Sequence, residues 1–173
     1  HWAKLNNLKQ AAKTMNFLTE HGIGSYEELL DRCEAASASV ARLKADLRDT
    51  GAKIDELALK MKHVSTYRQL KPIYNRYKAS RDKEKFLRGH ESEIILFEAA
   101  ARECKRLGAV PLPATERMQA EIDELNARKV ALKAELQKAQ REEQDYAAMR
   151  RNVEDFLSPP QPERERKKNV ELE

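Results

Sequence analysis

The sequence predicts an all-α protein: a long antiparallel coiled-coil helical hairpin with an N-terminal helix packed at its base and a small helical tip. The first observation behind this is a repeated seam. Leu29, Cys33, Ala36, Val40, Leu43, Leu47, Thr50, Ile54, Leu57, Met61 and Val64 follow one another at alternating spacings of four and three residues. Met118, Ile122, Leu125, Lys129, Leu132, Leu136, Ala139, Glu143, Tyr146, Arg150, Val153 and Leu157 do the same. A stripe at that spacing keeps to one side of an α-helix and demands a partner helix for burial. The chain supplies its own partner, and the pair is antiparallel, because a parallel pair would need a connection able to run back along the full coil. The second observation is composition: 36% charged residues, 6% aromatics, only 5 Gly and a mean hydropathy of −0.81 suit exposed helices and not a thick globular core.

Taken in order, the first helix covers about Trp2 to Glu20, with Trp2, Leu5, Leu8, Ala12, Met15 and Leu18 on one face. Gly22 can take the left-handed conformation that ends it, and Ile23 can fold back on the last turn. Ser25 opens the next helix as its cap, with the Glu28 carboxylate reaching back to the Ser25 amide. The outgoing arm spans 25–68, and Gly51 within it costs up to about 1 kcal/mol of helix propensity. Pro72 removes an amide donor and clashes with the preceding turn, so a kink or restart is expected near Leu70 to Pro72. The tip covers 69–112. Within it Ser80 caps a helix ending at Gly89, and another runs from Glu91 to Leu107 with Ile94, Phe97, Ala101 and Cys104 inward and Gly108 as its stop. The return arm covers 113–157. Residues 1–158 form a single elongated domain, and Pro159-Pro160-Gln161-Pro162 opens a disordered tail or linker over 159–173.

Lys129, Glu143 and Arg150 stand where the return seam calls for apolar residues. Their stems can lie along the seam with the charge in water. The expected register sets them against Leu57, Leu43 and Ala36, and pairs Cys33 with Val153, Val40 with Tyr146, Leu47 with Ala139, Ile54 with Leu132 and Met61 with Leu125. At the base, Trp2, Leu5, Met15 and Leu18 should pack with Leu29, Leu30, Phe156 and Leu157 as the densest core of the chain.

Several function classes find no support. No apolar run approaches the roughly 18 residues that span a bilayer, so no membrane partner is expected. Cys33 and Cys104 are too few and too far apart for a disulfide framework or zinc knuckle, and read as buried thiols in a reducing cytoplasm. His1, His21, His63 and His90 form no pair at metal-ligand spacing, so no metal or other cofactor is expected. There is no phosphate loop, serine elbow or cysteine-histidine pair, and an enzyme is not expected here. The chain begins at His1 without an initiator Met, which predicts a piece of a longer protein.

Charge is unevenly placed. Between Lys60 and Gly89 stand ten basic residues, Lys60, Lys62, Arg68, Lys71, Arg76, Lys78, Arg81, Lys83, Lys85 and Arg88, against Asp82 and Glu84, although the whole chain carries only +4. Tyr67, Tyr74 and Tyr77 are interleaved. Basic residues neutralise phosphates and aromatic faces stack on unpaired bases, so the ten cations with Tyr74 and Tyr77 are the candidate DNA-binding residues. The bland alternative is a solvated surface around a small core with the tyrosines packed inward.

Trp2-Ala3-Lys4 leading into Asn7-Leu8-Lys9-Gln10-Ala11-Ala12-Lys13-Thr14, then Asn16-Phe17-Leu18-Thr19-Glu20-His21-Gly22-Ile23, and Lys85-Phe86-Leu87 through His90-Glu91-Ser92-Glu93-Ile94-Ile95-Leu96 are the most distinctive blocks. At these residues the chain resembles the C-terminal helical region of relaxases, the mobilisation nucleases of conjugative and mobilisable elements in Gram-positive gut bacteria. The resemblance covers most of 1–157 in arrangement and is specific only in those blocks. It implies a cytoplasmic parent whose catalytic tyrosine and histidine-bound metal lie in an N-terminal part without counterpart here, so no catalytic residue carries over. It also implies that this region contacts transfer-origin DNA, relaxosome accessory proteins or the secretion-coupling machinery. The competing expectation is a coiled-coil interaction or oligomerisation rod that meets its partner through the impure seam or the Trp2 face.

Overall fold

The computed structural model describes residues 2–158, with side chains from Asn7 onward. The expected packing of Trp2 and Leu5 and the expected tail at 159–173 lie outside the described residues. Four helices follow one another: α1 (Trp2–Glu20), α2 (Tyr26–Ala79), α3 (Lys83–Arg106) and α4 (Thr115–Leu157), with no strand among the described residues. The fold class is all-α, a helical hairpin in which α2 runs antiparallel to α4.

The two glycine stops work as the sequence indicates. Gly22 has φ 63°, with its amide on Thr19 O at 3.1 Å and the Ile23 amide on Leu18 O at 2.8 Å. Gly108 repeats this with φ 65°, its amide on Lys105 O and the Ala109 amide on Cys104 O. In both, the residue after the glycine is buried against the helix it ends, which completes the paired-bond stop. Ser25 caps α2 by accepting from the Glu28 amide at 3.1 Å, but the Glu28 carboxylate accepts from the Gly24 amide at 2.6 Å and not from Ser25 as expected.

Two expected boundaries are corrected. α2 does not break at Pro72 but continues to Ala79 with the proline inside it. Loss of one bond and a ring clash, about 3 kcal/mol, is outweighed by Tyr67, Leu70, Tyr74 and Tyr77, which are half-buried along that stretch. The cap of α3 is Asp82, whose carboxylate accepts from the Lys85 amide at 3.0 Å, while the Ser80 hydroxyl donates to the Asp82 carbonyl. The expected break between a helix ending at Gly89 and one starting at Glu91 is present: His90 has non-helical backbone (φ −139°, ψ 24°), and the two helical stretches of α3 meet there at a kink.

The chain divides into two compact units, His1–Val40 with Lys138–Glu173, and Ala41–Gln137. In the first, α1, the start of α2 and the end of α4 enclose Ile23, Leu29, Ala36, Tyr146 and Met149, with Phe17, Leu18, Tyr26, Cys33 and Val153 packed against them. The expected base differs here. Leu8, Met15, Phe156 and Leu157 are 68%, 63%, 60% and 69% exposed, whereas Thr14 is buried. α1 turns inward the face carrying Ala11, Thr14 and Leu18, because the Thr14 hydroxyl accepts from Asn152 of α4 at 3.0 Å and donates to Gln10 O. Phe17 and His21 also present their rings to the edge of Tyr146.

In the second unit, Val64, Cys104, Ala109 and Met118 form the core, with Met61, Tyr67 and Leu112 packed against it. Ile94, Phe97, Ala100 and Cys104 are the buried face of α3, with Ala101 half-buried beside them. All eleven seam positions of α2 are buried or half-buried.

The register differs from the expected one by more than one turn of helix. Glu143 meets Ser37 and not Leu43, Tyr26 meets Glu154, and Arg150 borders a cleft with Leu30 and Cys33 in place of Ala36. In the second unit, Lys129 Nζ lies 3.8 Å from where a Cβ would stand on Gly51, six residues before the expected Leu57. Apolar seams are nearly indifferent to such slips. The polar intruders are not, and this register gives Glu143 a hydroxyl donor and Lys129 the space beside a glycine, while Arg150 pairs within α4 with Glu154 at 3.4 Å.

Candidate nucleic-acid interface

The expected cations lie in the second unit and fall into two groups. Arg76 and Lys78 occupy the last turn of α2, Arg81 the connecting turn, and Lys83, Lys85 and Arg88 the first two turns of α3. Adjoining helix ends thus gather six basic side chains, all exposed. Lys60, Lys62, Arg68 and Lys71 sit further back along α2, Lys60 about 24 Å from Arg76 at the α-helical rise. Lys71 and Lys78 stand beside the tyrosines.

Three of the ten have oxygen partners. Half-buried Lys60 pairs with Glu56 at 2.7 Å, and that hydrogen bond holds the Glu56 carboxyl below its usual range. Arg68 donates to Pro113 O at 2.9 Å and to Thr115 Oγ1 at 3.3 Å, tying α2 to the start of α4. Arg88 lies 3.8 Å from Glu84, a pair so exposed that water screens most of it. Lys62, Lys71, Arg76, Lys78, Arg81, Lys83 and Lys85 have no carboxylate within ion-pair distance among the described residues. One of the two local acids, Asp82, is turned to the α3 amides as cap.

The tyrosines do not stand free beside these cations. Phe97 of α3 stacks on Tyr67 at 4.7 Å and on Tyr74 at 4.2 Å, with interplanar angles of 30° and 23°. Lys71 Nζ stands over the Tyr67 ring at 5.8 Å and Lys78 Nζ over Tyr74 at 5.5 Å. Tyr77 is held tilted between Tyr74 and Phe86, and Phe86 meets His90 at 4.6 Å. Phe86 and Phe97 complete this ladder and were missed as partners of the tyrosines. Phe97 was legible as an inward residue of α3, but nothing in the spacing says which tyrosines it meets. Phe86, Lys85, Ser80 and His90 border a shallow cleft of about 330 Å³ beside the cap of α3.

Elsewhere, Cys33 is half-buried and Cys104 buried, and burial pushes both thiols up. Among the described residues no cluster of three or more His, Cys, Asp or Glu is placed to hold a metal, and no helix is long and apolar enough to cross a membrane. Compared with protein families, curated proteins and solved structures, the chain matches none.

Proposed function

We propose that this chain is a non-catalytic all-helical module that binds DNA phosphates through the cations gathered at the α2–α3 turn. The observation that carries this reading is the run of exposed cations without carboxylate partners, Lys71, Arg76, Lys78, Arg81, Lys83 and Lys85, in a chain of formal charge only +4. Concentrated charge of one sign raises the local potential and attracts a polyanion, and each neutralised phosphate releases counterions. This is the role that likeness to the C-terminal region of relaxases implies: a cytoplasmic protein at transfer-origin DNA, with nicking chemistry elsewhere in the parent and accessory or secretion-coupling proteins as further partners.

A titration with DNA across a salt series tests it. With four to six phosphates contacted, the logarithm of affinity should fall against the logarithm of salt with a slope of roughly −3 to −5. Reversing Lys71, Arg76, Lys78 and Arg81 to Glu should abolish binding while helical content stays unchanged. Retained affinity in that variant overturns the site.

A second reading, an interaction or oligomerisation rod, is favoured by a different surface. Leu18 and Val153 floor an apolar groove of about 290 Å³ in the first unit, with exposed Met15, Phe156 and Leu157 at its edges. Absence of DNA binding at low salt, with self-association or capture of a partner lost in Met15→Glu, would favour this reading.

A further inference from the structure

Resting on the phosphate-binding reading above, we infer that the α2–α3 turn takes double-stranded DNA in preference to single strands, gripping the backbone without stacking on bases. Proteins that prefer unpaired strands combine a basic groove with aromatic faces open to successive bases, and each stacked base adds about 1–3 kcal/mol. The basic residues are present here, but the faces of Tyr67 and Tyr74 are taken. Phe97 is layered between Tyr67 and Tyr74, at 4.7 and 4.2 Å. A lysine ammonium stands over each of those tyrosines. Phe86 lies against His90, and Tyr77, with no face-to-face neighbour, is held between Tyr74 and Phe86 at 6.0 and 6.3 Å.

A base entering between Tyr67 and Tyr74 would have to displace Phe97, a buried side chain of α3. What remains for a nucleic acid is charge. Arg76, Lys78, Arg81, Lys83 and Lys85 are exposed at two adjoining helix ends. Charge attraction favours the partner with the denser phosphates, and a duplex carries one charge per ~1.7 Å of axis, about twice the density of one strand. Lys71 and Lys78 add to this without freeing a ring, because the same side chains that reach outward for phosphate cover Tyr67 and Tyr74.

The test compares a 20-base-pair duplex with oligothymidylate of the same length, titrated over one salt series with the unaltered chain, Tyr77→Leu, and the fourfold reversal of Lys71, Arg76, Lys78 and Arg81 to Glu. The expected result is duplex binding about tenfold tighter at low salt, with a slope of roughly −4 against roughly −3 for the single strand if four phosphates are met. Tyr77→Leu should change neither affinity by more than about twofold, and the fourfold reversal should remove both. A single strand bound as tightly as duplex, or weakened tenfold or more by Tyr77→Leu, overturns the inference and leaves the phosphate reading standing. Binding of neither probe, or binding untouched by the reversal, overturns the phosphate reading itself.

Discussion

The Ser37 hydroxyl donates to the Glu143 carboxylate across the α2–α4 seam at 2.5 Å. A carboxylate in a coiled-coil seam is a liability unless the opposite helix offers a donor, and among apolar alternatives it is such pairs that single out one register. A hydrogen bond to a charged group contributes about 1.5–3 kcal/mol when well shielded and less where water competes. Ser37 is exposed and Glu143 half-buried, so a double-mutant cycle between Ser37→Ala and Glu143→Ala should return a coupling of about 0.5–1.5 kcal/mol in urea unfolding. Purely additive effects would show that the pair does not hold the register.

Gly51 sits in the middle of a 54-residue helix, and its neighbour across the seam is the flexible end of Lys129. A Cβ there would stand 3.8 Å from Nζ, ordinary contact distance. Gly51→Ala should therefore recover about 0.5–1 kcal/mol of helix propensity without a clash. The expected readout is a higher urea midpoint with unchanged m-value. A lower midpoint would show that Lys129 needs the space that the missing side chain leaves.

The seam from Leu29 to Val64 and the stops at Gly22 and Gly108 were legible because they depend on local periodicity and backbone conformation. The register was not, since Leu, Ala and Val at heptad spacing pair almost equally well after a slip, and only Ser37, Gly51 and Glu143 discriminate. The inward face of α1 was misjudged for a related reason. Leu8 and Met15 are more apolar than Thr14, yet Thr14 has a partner in Asn152 and they have none. Pro72 misled because local propensity says nothing of the rings that pack on either side of it. At the basic site, composition revealed the charges, but the engagement of Tyr74 depends on Phe97, distant in sequence and brought there only by the α2–α3 turn.

Phe97 joins two stacked tyrosines and is itself only 6% exposed. Truncation would open a cavity and unstack both rings together, so Phe97→Ala should cost about 3–5 kcal/mol. Near-ultraviolet circular dichroism should lose much of its tyrosine signal in the same variant. Lys71→Ala, which removes only an ammonium above Tyr67, should cost no more than about 1 kcal/mol. Comparable losses in the two variants would show that the ladder does not hold the unit together.

The two thiols are expected to make stability fall at alkaline pH. Burial raises Cys104 above the ordinary thiol value, with the Glu103 charge adding to it. Burial raises Cys33 likewise, with Arg150 opposing and Glu154 assisting. A group whose folded value lies above its unfolded one contributes stability in full below the unfolded value and loses it as pH rises through the folded value. The melting temperature should therefore fall as pH rises past the ordinary thiol value, and fall less in Cys33→Ala/Cys104→Ala. The Tyr26 hydroxyl, pushed up mainly by its hydrogen bond to Glu154, has the same sign and is common to both proteins. Alkylation by iodoacetamide supplies the site-resolved check: Cys104, 2% exposed, should react only as fast as its unit opens, and half-buried Cys33 sooner. Equal rates at the two positions in the folded protein, or an alkaline slope that the double variant leaves unchanged, would show that these thiols are not held protonated by the fold.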